Sequence, residues 1–368
     1  MESKDLVFDE RYERLIIEKL PKFGVSVLIC IDSTVLGPAL GGTRFKVYPN
    51  TKEAEIDAIR LARGMTYKAA NLWEDGYHLG GGKAVITGDP ETQKTPEFLQ
   101  EYGRIVNRLM GMYITAEDMN INVNDMGVIA ETTTYVVGCS KGDGSSGNPA
   151  PYTAEGCLAS IRAALNFTFN SADVKGRTFI FQGAGEVGFR LARLLKELGA
   201  RIVACDVNLR AVERIRHEVG ADIVKPEDIF AHAGDIFVPC AGGGILNDET
   251  IPLLQCPIVA GPANNQLANP ARHGHMLAKR EVAYVVDFIG NAGGLIAAAD
   301  ELLAGRHFNE ERVRRNIRHI ERRVSRNLEC SRATHIHPHE IAIQTNDRLL
   351  NGMRKLKEEL KTSEAQKG

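Results

Sequence analysis

Apolar positions along the chain follow two alternating patterns. The run Gly24 to Asp32, GVSVLICID, is continuously apolar and rich in β-branched residues, which predicts a buried strand. Next, TKEAEIDAIRLARGMTYKAA spaces Ile56, Ile59, Leu61 and Met65 at helical intervals behind Thr51, a candidate N-cap. KAVITG and MYITA read as further strands, and PEFLQEYGRIVNRLM as a helix. Gly138 to Tyr152, GCSKGDGSSGNPAPY, is dense in Gly, Ser and Pro and predicts a hinge or domain boundary.

Beyond it the alternation resumes. Helical patterns TAEGCLASIRAALNF, EVGFRLARLLKELG and LRAVERIRHEVG are interleaved with the strand-like runs RTFIFQG, RIVACDV, ADIVKP, GDIFVPC, CPIVAGP and VAYVVDF. About six strands alternating with helices predict an α/β fold with a doubly wound parallel sheet. After Asn309 comes a basic amphipathic helix, EERVRRNIRHIERRVSRNL, whose interleaved glutamates mark a solvated face rather than a binding patch, and then a polar tail.

A length of 368 residues favours two domains. The formal net charge of -2 offers no general attraction to nucleic acid or anionic lipid, so small ligands are expected. The charged N-terminus and the absence of a long apolar run suggest a cytoplasmic protein. Seven scattered cysteines with no Cys-x-x-Cys pair read as reduced thiols rather than metal ligands or disulfides. The alternate histidines of THIHPHE (His335, His337 and His339) are interrupted by Pro338 and, like RHGHM, read as solvated or subunit-contact segments; no metal is expected.

Two features carry chemistry. Gly183, Gly185 and Gly188 have the G-x-G-x-x-G spacing after an apolar strand and at the start of a helix. That arrangement gives a tight turn, close backbone approach to a pyrophosphate and close helix packing. Asp206 ends the next strand, where a carboxylate accepts from ribose hydroxyls and repels a 2′-phosphate, favouring NAD over NADP; Arg210 nearby would soften that preference. Second, Lys68 and Lys83 flank a glycine-rich, apolar stretch in which desolvation lowers a lysine pKa, so one amine could clamp an acid and the other move protons. Asp118, after MYITA, would join them. On spacing alone either lysine could equally lie on the surface, and Asp118 could be a helix N-cap.

The motifs GPALGGTR, RGMTYKAA, GGGKAVI, TAED, GSSGNPAPYTAEG, QGAGEVG, DIFVPCAGGGILNDETIP, VAGPANNQL and NAGGLI occur in this order. Together, from about residue 25 to about 320, they resemble the amino-acid dehydrogenases of the glutamate, leucine, phenylalanine and valine dehydrogenase family. The resemblance implies NAD-dependent, reversible oxidative deamination of an L-amino acid to a 2-oxo acid and ammonia by a homo-oligomer. It also implies a catalytic domain over 1–145, with 330–368 packing back on it, a Rossmann NAD domain over 146–329, and a substrate cleft between them that closes about the hinge.

By motif, the resemblance implies that Lys68 binds the substrate carboxylate. Lys83 would be the general acid/base, and Asp118 would complete the proton relay and bind the amino group. Gly41 and Asn265 would touch the substrate backbone, and Leu40, Ala116 and Leu295 would line an apolar side-chain pocket with no evident cation for a γ-carboxylate. On the cofactor side it implies Gly183, Gly185, Glu186, Val187, Gly188 and Asp206, together with Thr153, Cys240, Ala241, Asn264 and Asn291. The remaining alternatives are a dehydrogenase of another 2-substituted acid and a non-catalytic NAD-binding relative.

Three departures from the family pattern bear on specificity. The family's lysines usually stand twelve positions apart, whereas Lys68 and Lys83 are fifteen apart with NLWEDGYH between them. The added residues, with Trp73, Tyr77 and His78, either bulge outward or reshape the pocket. EDMNI resembles tryptophan dehydrogenases of the group, and FIGNAGG sets Gly290 near the pocket-lining turn. Both lean toward a bulky or aromatic substrate side chain.

Overall fold

The protein is described from a computed structural model that covers residues 12–140, 144–303 and 307–365. The chain divides into two compact units. One comprises residues 12–148, 297–310 and 344–365, and the other comprises Pro149–Ile296 and Glu311–Ile343.

The first unit is built on a mixed five-stranded sheet with its helices on two faces. Its strands are β1 (Arg14–Leu20), β2 (Val25–Ser33), β3 (Ala39–Lys46), β4 (Gly80–Thr87) and β5 (Tyr113–Glu117), in the order β1-β2-β4-β3-β5. β2 runs antiparallel to β1 and β4, while β3 is parallel to both β4 and β5. Helix α1 (Thr51–Ala70) covers one face, and α3 (Pro96–Asn107) and α4 (Val123–Ala130) cover the other, with a short α2 (Pro90–Gln93) before them. The strand period of two sorts the residues between these faces. Val27, Ile29, Phe45, Ile86 and Tyr113 join Phe98 and Tyr102 of α3, whereas Leu28, Cys30 and Val85 join Ala54, Ala58 and Ala62 of α1.

Local chemistry sets the ends of these helices. α1 is capped by Asn50, whose side chain accepts from the Glu53 amide, so the cap lies one residue before the expected Thr51. Asn122 forms a capping box with Asp125 at the start of α4; Asp118 is therefore not a cap and is released for other work. On either side of residues 141–143 the Gly/Ser-rich stretch is tied down. Buried Glu301 accepts through Oε2 from the Gly138 amide at 3.1 Å, the Ser146 amide at 2.8 Å and the Ser145 and Ser146 hydroxyls.

The second unit is a doubly wound sheet. Helix α5 (Ala150–Phe169) leads into β6 (Thr178–Gln182), α6 (Glu186–Glu197), β7 (Arg201–Cys205), α7 (Leu209–Val219), β8 (Asp222–Ile223), β9 (Ile236–Pro239), β10 (Ile258–Val259), α8 (Pro270–Lys279), β11 (Ala283–Tyr284) and α9 (Asp287–Gly290). The six strands lie in the order β11-β10-β9-β6-β7-β8, all parallel. The strand order reverses between β6 and β9, and in such sheets ligands bind outside the carboxyl ends at that point. α10 (Gly293–Leu303), α11 (Glu310–Thr334) and α12 (Pro338–Ala365) complete the chain. α12 occupies the stretch expected to be a polar tail, because a helix exposed on most sides over its last three turns shows no apolar stripe there. No helix among the described residues is long and apolar enough to cross a membrane.

Candidate active site

On the α1 face of the five-stranded sheet, a row of charges interrupts the apolar surface. β4 turns Lys83 to this side, two residues before Val85 of the α1 cluster. The Lys83 side chain is only 5% exposed, and its Nζ lies 2.9 Å from Asp118 Oδ2. Burial pushes the Lys83 amine below an ordinary lysine, Asp118 pulls it back, and Arg44 pushes it down again. Burial alone would raise the Asp118 carboxyl, but Lys83 and Arg44 outweigh it and hold the group well below the usual carboxylate range. The pair is therefore an acid ionised in the ligand-free protein beside an amine poised to lose its proton early, and the Asp118 side chain keeps 24% of its surface exposed.

The glycines answer to sterics. A Cβ on Gly81 would stand 2.0 Å from the Thr66 nitrogen just before the last turn of α1, so this glycine lets the helix carrying Lys68 lie directly on β4. A Cβ on Gly41 would strike the Gly82 carbonyl at 1.8 Å, and one on Gly42 would meet Asp118 Cβ at 2.8 Å. These glycines thus serve close strand and helix packing and make room for Asp118. Lys68 is buried in that last turn. Buried Asp32 of β2 holds the preceding part of α1, accepting from Arg63 Nε at 2.6 Å and from the Thr66 hydroxyl at 2.5 Å. Leu40 is buried, and Ala116 pairs in register with Gly42. Alternation puts both on the α1 face with Lys83.

The longer connection between the lysines does not simply bulge outward. Leu72 and Tyr77 are buried, and Trp73 sits over exposed His78 with ring centroids 4.1 Å apart. Gly37, at φ +148, lies so close to this turn that a Cβ there would be 2.1 Å from the His78 carbonyl oxygen.

The second unit gathers the expected cofactor residues around the reversal between β6 and β9. Gly183 adopts φ +105, and a Cβ on it would come within 2.9 Å of the Ala241 amide nitrogen, so only glycine fits this turn. Gly188 lies against Cys240, whose buried thiol is pushed well up by burial. Gly185 is the N-cap residue of α6, with open space where a Cβ would be and no side chain capping the helix amides. Asp206 accepts from the Ala184 amide at 2.7 Å through one oxygen and from the Asn208 amide at 2.8 Å through the other, holding the fingerprint turn. Glu186 and Val187 open α6, where Glu186 pairs with Arg190 and Arg214. The Thr153 hydroxyl donates to the Pro149 carbonyl at 3.0 Å.

Asn291 donates to Asn264 Oδ1 at 2.8 Å and to the Pro262 carbonyl, while its own buried Oδ1 has no hydrogen-bond partner. Asn265, at φ +52, donates its amide to Asp287 at 2.6 Å. Leu295 is buried in α10. An uncapped helix start, an open Gly185 and an orphaned buried amide oxygen are what a dinucleotide would satisfy, so the residues present fit such a cofactor.

The structure brings Lys83, Asp118, Leu40 and Ala116 onto one face of one unit, with Lys68 on the helix that covers it. The fingerprint glycines, Asp206, Cys240, Ala241, Thr153, Asn264, Asn265, Asn291 and Leu295 belong to the other unit. Sequence reasoning missed Arg44, Asp57 and Tyr48, which extend the charge row beyond Asp118. The period-two register of Leu40, Gly42 and Arg44 could have pointed to Arg44. Of the C-terminal histidines, His339 is not solvated as expected but buried against the edge of Phe288, because α12 starts there. Among the described residues no group of three or more His, Cys, Asp or Glu is placed to hold a metal.

Comparison with known proteins agrees with both units. Residues 25–135 match the family described as Glu/Leu/Phe/Val dehydrogenase, dimerisation domain, and residues 207–347 match Glutamate/Leucine/Phenylalanine/Valine dehydrogenase. The chain is 42% identical over 344 residues to a leucine dehydrogenase of Geobacillus stearothermophilus, covering 94% of this chain and 92% of that one. It is 43% identical over 296 residues to an L-tryptophan dehydrogenase of Nostoc punctiforme, covering 80% and 81%. The crystal structure of L-tryptophan dehydrogenase from Nostoc punctiforme superposes with a TM-score of 0.73 at 36% identity, over 94% of this chain and 97% of that one. With two family descriptions matched in order and relatives this similar over nearly its whole length, the chain belongs to the Glu/Leu/Phe/Val dehydrogenase family.

Proposed function

We propose that this protein catalyses the reversible, NAD-dependent oxidative deamination of an apolar or aromatic L-amino acid to its 2-oxo acid and ammonia. The observation that carries this reading is the buried Lys83 amine held 2.9 Å from the Asp118 carboxylate, on the sheet face that also carries Leu40 and Ala116. Leucine and L-tryptophan dehydrogenases are among the similar proteins, which supports a hydrophobic side chain in the substrate.

In this reading Lys68 pairs with the substrate carboxylate, and the open part of the ionised Asp118 takes a proton from the substrate ammonium. A bound nicotinamide would supply the acceptor for the hydride that the substrate Cα loses in becoming an imine. Lys83, its proton affinity lowered by burial, then removes a proton from a water attacking the imine and returns one to the departing ammonia. Leu40 and Ala116 face the substrate side chain, and Gly41 its backbone. The turn from Gly183 to Gly188, with Glu186 and Val187, would hold the pyrophosphate, Thr153 the nicotinamide carboxamide, and Cys240, Ala241, Asn264 and Asn291 further parts of the cofactor.

Asp206 supports NAD over NADP. Each of its oxygens accepts one backbone amide and retains a lone pair for a ribose hydroxyl, and its charge repels a 2′-phosphate. We further infer a homo-oligomer in the cytoplasm, the compartment that suits seven cysteines in no disulfide.

The test is NADH formation by the purified protein across L-valine, leucine, phenylalanine and tryptophan, paired with each 2-oxo acid with and without ammonium. Ammonium-dependent consumption of NADH is expected, with a hydrophobic or aromatic substrate turned over best. Reduction of the 2-oxo acids without ammonium would instead identify a hydroxy-acid dehydrogenase and sink the reading.

A further inference from the structure

The charge row does not end at Asp118. Arg44, on β3, lies with its Nε 3.2 Å from Asp118 Oδ2, the oxygen that Lys83 meets at 2.9 Å. Its Nη1 lies 3.1 Å from Asp57 Oδ2 of α1, and the Tyr48 hydroxyl donates to that same Asp57 oxygen at 2.6 Å. The Arg44 side chain is 14% exposed. One planar guanidinium thus bridges two carboxylates from different elements, a geometry that lysine cannot reproduce.

We propose that Arg44, clamped by Asp57, is a positioning residue that acts through its charge on the Asp118–Lys83 pair and sets the pH at which the Lys83 amine releases its proton. The proposal rests on reading Lys83 as the acid/base. A simpler role for Arg44 would be to tie α1 to the sheet, in which case its removal would lower stability without moving any titration.

The two roles differ in sign. Burial opposes the charged form of Lys83. Of the groups facing it, Asp118 beyond β5 and Asp57 of α1 favour the ammonium, while Arg44 of β3 disfavours it. Other charged or titratable groups on this side include Lys68 and Arg63 of α1, Asp32 of β2, Tyr48 with Lys46 of β3 over its ring, and Cys30, the cross-strand partner of Lys83. Removing the Arg44 charge leaves two carboxylates to hold the Lys83 proton, so its titration must move to higher pH. Removing the Asp57 charge leaves Arg44 facing Asp118 alone, so the titration must move to lower pH. A charge within a few ångströms in a partly buried site shifts a pKa by about one unit or more. Losing both charges together should cancel most of the shift.

The experiment measures the rate at which cyanate carbamoylates Lys83 as a function of pH, read by peptide mass spectrometry, in the parent chain and in Arg44→Gln, Asp57→Asn, the double variant and Arg44→Lys. Isocyanic acid is small and reacts only with the unprotonated amine, which attacks its carbon, so the midpoint of the rate per unit of isocyanic acid reports Lys83 without requiring turnover. Far-UV circular dichroism of each variant verifies the fold. The expected result is a midpoint raised by about one pH unit in Arg44→Gln and lowered in Asp57→Asn, with the double variant near the parent and Arg44→Lys closer to the parent than Arg44→Gln.

The pH limb of kcat/KM for deamination should move in the same directions. Midpoints that do not move, or that move in the same direction in both single variants, overturn the proposal, and Asp57→Asn keeps it open to refutation if Arg44→Gln fails to fold. Opposite shifts in a chain that shows no ammonium-dependent turnover would uphold the electrostatic role of Arg44 while removing the proposed reaction.

Discussion

Asp118 has a place to stand only because residue 42 carries no side chain. A Cβ on Gly42 would lie 2.6 Å from the Glu117 carbonyl oxygen and 2.8 Å from Asp118 Cβ, so the methyl group of Gly42→Ala must push the carboxylate away from Lys83. A displacement of about 1 Å at a proton-transfer pair costs on the order of 100-fold in rate. Gly42→Ala is therefore expected to lower kcat by roughly that factor while NADH, bound by the other unit, keeps its affinity in a fluorescence titration. Lys83→Ala removes the amine itself and should lower kcat by about 10²- to 10⁴-fold, again with NADH affinity retained. Unchanged turnover in Lys83→Ala would remove its acid/base role. Lys68, Lys83 and Asp118 were visible in the sequence as charges in apolar, glycine-rich surroundings. Arg44, Asp57 and Tyr48 were not, because each looks like an ordinary surface residue until the strand and helix periods bring them to one face.

Helices whose apolar stripe runs their whole length were legible, and short ladders were not. α1, α6 and α7 fall where their helical spacing places them, and even the cap of α1 is one residue from expectation. β8, β10 and β11 pair over only two residues each inside longer apolar runs; those of β10 and β11 continue as buried loops at the carboxyl ends of the strands, whereas that of β8, at the sheet edge, runs out to the surface. The first turn of α12 hides a further consequence. His339 is buried there, and burial, with His337 nearby, lowers its imidazole to about 4, below the ordinary value of 6.5. The unfolded chain therefore binds the proton first. The stability that comes from burying neutral His339 is fully present above about pH 6.5 and is lost as pH falls toward and through 4, a total of roughly 3 kcal/mol. Urea titrations at pH 7.5 and pH 5 should show a smaller unfolding free energy at the lower pH, and His339→Phe should flatten that dependence if it folds. An equal pH slope in parent and variant would assign the acid sensitivity to other groups.

At the scale of the whole molecule, the proposed function divides the chemistry by unit, with Lys83 and Asp118 in one and the Gly183–Gly188 turn in the other. The resemblance of many ordered motifs implied such a division, whereas the steric demands on Gly41, Gly42 and Gly81 came only with coordinates, since contacts between distant strands leave no local pattern. The division has a thermodynamic signature. A ligand that binds only folded protein stabilises it by RT ln(1 + [L]/Kd), about 2.7 kcal/mol at one hundred times Kd. NADH should therefore raise the calorimetric transition of the unit formed by Pro149–Ile296 and Glu311–Ile343. Gly183→Ala should abolish that gain and itself lower the transition, because the turn needs φ +105 beside the Ala241 amide. NADPH at the same concentration should give a smaller shift, since the Asp206 carboxylate that closes the turn would face its 2′-phosphate. Equal shifts from NADH and NADPH would mean that Asp206 serves only the turn, and the preference for NAD would have to be given up even if the reaction stands.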